Sequence, residues 1–288
     1  MNPPPVSTPD LDMTALQSWI GRTEVARDLA TERLIAGLLA TFESAVNFRS
    51  SGAHAPLTLH WCLAPPIAPM SDLGPDGHPA RGAFLPPIPL PRRMWAGGEL
   101  EILDRIIAGD AIERASRIAA IDLKQGRSGP LCFVGVDHTI ATPRGIAMRE
   151  RQNLVYRPAE TQPVAATARA MAPAAEHSLK LHADSVLLFR YSALTFNGHR
   201  IHYDRPYATG EEHYPGLVVH GPLQAALLVE FAAELAKGKP PRRFSFRGVR
   251  PLFDGADFFL RARRVEGDLA LWVENEDGEA TMEAKASW

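Results

Sequence analysis

Apolar residues recur at three- and four-residue steps early in the chain: Leu16, Trp19 and Ile20, then Leu34, Ile35, Leu38 and Leu39. This is the spacing of an amphipathic helix, and the break at Gly21-Arg22-Thr23 divides Leu16 to Ala40 into two predicted helices. From Pro56 to Pro91 prolines are too frequent for a helix or a central strand, so an ordered arm is predicted. Ala111 to Ala120, Leu131 to Ile140 and Ala147 to Tyr156 are β-branched or aromatic runs. Turn-forming Lys124 to Pro130 and Thr142 to Gly145 separate them, which predicts an antiparallel meander. Pro158 to Lys180 is rich in Ala and Pro with little periodicity and reads as a linker. It splits the chain into residues 1–157 and 181–288.

In the second part, Pro222 to Ala236 is apolar over most of its circumference, with proline at the start and Gly238 just beyond the end. Such a helix needs burial on nearly every side, as when a curved sheet wraps it. Strands are predicted at Arg243 to Val249, Ala256 to Val265, Leu269 to Asn275 and Ala280 to Trp288. The two parts share a segment: Gly109 to Ile118 aligns with Gly255 to Val265 if one residue is inserted at Ala256, which suggests duplication. The expected class is α+β, with two tandem units, each an antiparallel sheet around a helix.

Composition narrows the function. The 288 residues carry a formal net charge of -2, so there is no broad positive field for nucleic acid. No apolar run approaches the ~20 residues a membrane span needs, and residues 1–10 lack the basic and apolar regions of a signal peptide. Two cysteines, Cys62 and Cys132, are too few for a disulfide framework. A cytoplasmic protein is expected. No Gly-x4-Gly-Lys-Ser/Thr or Gly-x-Gly-x-x-Gly pattern indicates a nucleotide, and Ser192 and Ser245 lack a nucleophile-elbow context.

The chemistry-bearing segment is Phe196-Asn-Gly-His-Arg-Ile-His-Tyr-Asp204, followed by Tyr214-Pro-Gly-Leu-Val-Val-His-Gly-Pro222 at the head of the long helix. These stretches resemble the MaoC-like R-specific enoyl-CoA hydratases, and more closely the type 2 hydroxyacyl-thioester dehydratases. With Leu85 to Gly98 and Lys124 to Pro130, the resemblance extends to the members that hydrate mesaconyl-C4-CoA. It implies a double hotdog fold, a degenerate first unit, and addition of water to an α,β-unsaturated CoA thioester. No cofactor is expected beyond the coenzyme A of the substrate. The expected partners are that thioester and further copies of the chain.

The family pattern sets an Asp five residues before a His; this chain has Asn197 and His202. Imidazole titrates near neutrality, so His202 is the candidate base, whereas the Asn197 amide can orient water but not exchange its proton. The unpaired N–H of Gly221, at a helix head, suits the charge that develops on the thioester oxygen. His199, Arg200, Tyr203 and His220 flank these groups as candidate substrate contacts, although Arg200 could serve loop structure and His220 could shape its turn. Asp204 is expected to support the loop. Arg92 and Arg93, beside Trp95, are candidates for a substrate carboxylate. The intervals among His199, His202, Asp204 and His213 fit no zinc pattern, so no metal is expected. The alternatives are a dehydratase of other enoyl-CoA or acyl-carrier-protein chains, a hotdog thioesterase, and a non-catalytic acyl-CoA-binding subunit.

Overall fold

The meander between Ala111 and Tyr156 forms, and it belongs to a larger sheet. The computed structural model describes residues 11–43, 55–126, 129–159 and 172–288. Among them the strands are β1 (Thr23–Leu29), β2 (Arg92–Ile102), β3 (Ala111–Gly126), β4 (Gly129–Thr142), β5 (Gly145–Arg157), β6 (His177–His182), β7 (Arg243–Gly248), β8 (Asp257–Val265), β9 (Asp268–Asn275) and β10 (Ala280–Ser287). The helices are α1 (Met13–Gln17), α2 (Glu32–Phe42), α3 (Ser185–Leu194), α4 (Arg205–Gly210) and α5 (Gly221–Leu235).

All the strands pair antiparallel in the order β1-β3-β4-β5-β2-β7-β10-β9-β8-β6. Read from either edge inward, the two halves have the same topology: β1-β3-β4-β5-β2 and β6-β8-β9-β10-β7. They join where β2 pairs β7, from Gly97↔Arg247 to Glu101↔Arg243. One chain thus completes the sheet without a second copy.

The repeat is real in topology but differs in register from the sequence alignment. Leu29 faces Ala111 and His182 faces Asp257. Gly109 N–H donates to Ala30 O, and Gly255 N–H to Ala183 O. Asp110 therefore corresponds to Ala256, and no residue is inserted. The side-chain matches beyond the glycines are coincidental, since the ungapped register pairs Arg114 with Leu260.

The long helix behaves as its sequence requires. Leu223 to Ala233 of α5 are buried without a break, against β2, β7, β8, β9 and β10. α2 of the first half packs on α3 of the second, with Phe42 and Tyr191 stacked at 6.3 Å. A short 3-10 turn at Leu59–Cys62 contacts α2. A second apolar cluster, with Leu16, Ile88, Leu90, Ile118 and Tyr156, covers another part of the first half-sheet.

Two segments differ from the sequence reading. Thr23–Leu29 is a strand, not the start of a helix; it is an edge strand with six of its seven residues exposed, so it lacks the buried alternation that would reveal it. β6 begins at His177, inside the stretch assigned to the linker, while linker residues 160–171 lie outside the described residues.

Candidate active site

The segment after α3 is folded by its own polar groups. Thr195 Oγ1–H donates to Tyr191 O at 2.7 Å, and Phe196 turns the chain with φ 51°. Asn197 N–H donates to Ser192 O at 2.8 Å, and Asn197 Oδ1 accepts His199 N–H at 3.0 Å. The Asn197 oxygen thus maintains the loop, leaving the NH₂ group as the part able to hold a water. A 3-10 turn at Arg200–His202 then places His202 inside the protein.

His202 is 7% exposed, and its Nδ1 lies 2.7 Å from Val218 O. A carbonyl only accepts, so Nδ1 carries the hydrogen and Nε2 presents its lone pair. Burial lowers the imidazole pKa to about 4, against the opposing hydrogen bond to Val218, so the ring is neutral at physiological pH.

His220 stacks on His202 with ring centroids 3.6 Å apart. The His220 Nε2 is 2.8 Å from Ser192 Oγ, and its side chain does not cap α5. Pro222 has no N–H, and the first-turn N–H groups at Gly221 and Leu223 have no intrahelical acceptor. His202 and the helix head therefore lie side by side. A Cβ at Gly221 would be 3.6 Å from Trp95 Cε3, so the Trp95 indole borders the same point. Trp95 is itself held edge-on by Trp61 at 5.1 Å, and Trp61 Nε1–H donates to buried Glu150 at 2.9 Å.

The arm contributes residues that the sequence reading treated as loop. Asp76 Oδ1 accepts His78 N–H at 3.0 Å, and Asp76 Oδ2 takes His78 Nδ1 at 2.9 Å. The His78 ring is 4.1 Å from His199, and His199 is 5.4 Å from His202. Burial lowers the pKa of both His78 and His199; Arg93 lowers both further, and Asp76 opposes. Asp76, His78 and His199 each offer a ligand atom, and these lie within 4.8 Å of one another. This set is not the one weighed from sequence, and it has the donors either for a divalent cation or for proton exchange.

Of the remaining candidates, some join this cluster and some do not. Strand alternation sends Arg92 and Arg93 to opposite faces, so they do not act as a pair. Arg92 is buried, ion-paired to Glu212 at 2.5 Å and 5.2 Å over Tyr214; its expected role for a substrate carboxylate gives way to pinning that loop. Arg93 shares the Trp95 face and lies beside Tyr156. Arg200 is likewise engaged: Nε and Nη2 donate to Asp204 at 2.9 and 2.8 Å, and Nη1 donates to Pro75 O at 3.0 Å. Its role is loop structure. Asp204 also caps α4 through Tyr207 N–H. Tyr203 is exposed, and its hydroxyl closes the loop by donating to Gly198 O at 3.0 Å. His220 is fully buried at the turn before α5.

Comparison with known proteins identifies the family and the fold. The profile of the hydroxyacyl-thioester dehydratase type 2 family matches residues 57–254, from the arm to the loop before β8. The mesaconyl-C(4)-CoA hydratase of Chloroflexus aurantiacus is 44% identical over 279 residues, covering 93% of this chain and 95% of its own. A MaoC-like dehydratase from Phytophthora capsici superposes with a TM-score of 0.70 at 12% identity, covering 96% of this chain and 99% of its own. A Mycobacterium tuberculosis protein described as a double hotdog superposes with a TM-score of 0.52 at 13% identity, over 93% and 95%. The last two establish the fold alone, a double hotdog. The family match and the relative of nearly equal length establish more: this chain is a hydro-lyase of the type 2 hydroxyacyl-thioester dehydratase family.

Proposed function

We propose that this enzyme hydrates the double bond of an α,β-unsaturated CoA thioester, with mesaconyl-C4-CoA as its substrate and citramalyl-CoA as the product. The observation that carries the reading is a buried neutral imidazole with Nε2 open, stacked against His220, the residue just before α5. His202 Nε2 takes a proton from water as the oxygen attacks the β-carbon. The Asn197 NH₂ holds that water. The Gly221 N–H meets the charge that moves onto the thioester oxygen, aided by the helix dipole. Coenzyme A enters as part of the substrate, and these steps call on no other cofactor.

The free carboxylate of a dicarboxylic acyl group needs a cation near Trp95, and Arg93 supplies it. Arg93→Gln is expected to lower kcat/KM on mesaconyl-C4-CoA by at least ~10-fold, since a charge-assisted contact is worth roughly 1.5–3 kcal/mol, while sparing crotonyl-CoA. Equal losses on the two substrates would reject carboxylate recognition. Arg92→Gln should instead lower the melting temperature, because it leaves Glu212 with an unpaired, mostly buried charge; breaking such a pair costs about 3–5 kcal/mol.

The reaction itself is checked by mass spectrometry and a thiol assay on a pool of unsaturated acyl-CoAs. The expected result is a gain of one water on mesaconyl-C4-CoA with no free thiol. Thiol release would point to a thioesterase, and binding without turnover to a non-catalytic subunit.

We assign the enzyme to a reducing compartment, the cytoplasm. Cys62 and Cys132 are both free and buried, with burial pushing their thiols up to about 12 and about 11. Among the described residues no helix is long and apolar enough to cross a membrane.

A further inference from the structure

Hydration requires two proton transfers, one from water and one to the α-carbon, and Asn197 cannot perform either. Building on the hydratase reading above, we propose that His78, held by Asp76, is the second acid–base group of the site and protonates the α-carbon.

The support is geometric. Both Asp76 oxygens bind His78, one through the backbone N–H and one through Nδ1, which leaves Nε2 as the working nitrogen. A carboxylate on one ring nitrogen fixes the tautomer and strengthens the other as a proton carrier. The arm that carries this pair is locked to the His202 loop. Arg200 N–H donates to Asp76 O at 2.9 Å, Arg200 Nη1 holds Pro75 O, and Gly77 lies directly against Gly198. His78, His199 and His202 form a continuous row of rings. The charged and titratable groups around His78 are Asp76 on its own turn, Arg81 of the arm, Arg93 of β2 and His199 of the loop.

The step balances. The O–H bond of water breaks and its proton goes to His202 Nε2, while oxygen bonds to the β-carbon. The π pair shifts to give an enolate on the thioester. With Nδ1–H given to Asp76 and burial keeping the ring neutral, His78 Nε2 starts as a lone pair. The proton that His202 took passes through His199 to His78 Nε2 and from there to the α-carbon as the enolate collapses, so all three rings end the cycle neutral. The same side chains have the spacing for a cation, but each Asp76 oxygen is aimed at His78, which favours proton exchange.

The test uses the full-length protein on mesaconyl-C4-CoA and crotonyl-CoA. If wild type hydrates neither, the hydratase reading itself fails. If it hydrates, His78→Gln is expected to lower kcat at least ~100-fold, the usual weight of a general acid. KM should change little and the melting curve should be preserved. Asp76→Asn should lower kcat at least ~10-fold and remove one limb of the pH–rate profile. Imidazole added to His78→Ala should restore rate in proportion to its concentration, which a purely structural histidine does not allow. A His78→Gln variant within threefold of wild type would overturn the assignment and leave the hydratase reading intact. Should that variant fail to fold, Asp76→Asn with an unchanged rate and profile overturns it instead. Stoichiometric metal in the purified enzyme, with activity lost to dipicolinate and restored by Zn²⁺, also overturns it.

Discussion

His202→Gln is expected to lower kcat/KM by at least ~100-fold, as loss of a general base does, with KM and the fold nearly preserved. Glutamine can keep a hydrogen bond to Val218 O but has no proton to exchange. The pH dependence gives a sharper check. A base works while it is unprotonated, and burial holds this imidazole near 4, so wild-type kcat/KM should stay level as pH falls through 6.5, where an exposed histidine would lose half its activity. The stability sign is opposite to that of a salt-bridged histidine. As pH falls, the unfolded chain takes up its proton near 6.5 while the folded ring stays neutral to about 4, so stability is lost progressively across that window. His202→Gln should lessen that loss. An acid limb near 6.5, or a glutamine variant with near-normal turnover, would remove His202 from the chemistry.

What was legible in the sequence follows from which forces are local. The α5 helix could be read because apolar residues all around a helix have one stable outcome, burial, and Leu223 to Ala233 meet it. The meander could be read because β-branched runs were bounded by turn residues. β1 could not, because an exposed edge strand such as Thr23–Leu29 carries no apolar alternation. β2 was also missed: Gly97 and Gly98 weaken its strand signal, and what holds them in the sheet is pairing with β7, about half a chain away.

The site divides the same way. His202, Asn197 and Gly221 lie on one continuous stretch whose pattern is visible as a unit. Asp76 and His78 stand more than a hundred residues earlier in an arm that looks like punctuation, and only the fold brings them to His199. Their one local trace is a histidine set in Asp76-Gly-His-Pro79, where Asp and Gly read as turn formers. Arg92 and Arg93 show the converse error. Adjacent in sequence, they look like a clamp, yet a strand separates neighbours to opposite faces, and the loop at Glu212 occupies one of them.

Gly77→Ala is expected to disable the enzyme without touching a reacting group. Gly77 has φ 85°, where a side chain is strained, and a Cβ there would meet Gly198 O at 2.0 Å. Backbone cannot swing aside as a side chain can, so the arm must lift from the 197–202 loop, taking Asp76 and His78 with it and loosening His199 and His202. A displacement of about 1 Å in such a constellation costs on the order of 100-fold in rate. Gly82→Ala separates this effect from backbone strain. Gly82 lies in the same arm with φ 96°, but its nearest neighbour would be Pro87 Cβ at 3.9 Å, so that variant bears only the conformational cost, about 1–2 kcal/mol. Thermal melts and kcat/KM on mesaconyl-C4-CoA should therefore diverge, with Gly82→Ala slightly less stable and active, and Gly77→Ala less stable still and nearly inactive. If the two melt alike and turn over alike, the arm is not clamped to the loop, and the contact between Gly77 and Gly198 does not hold the site together.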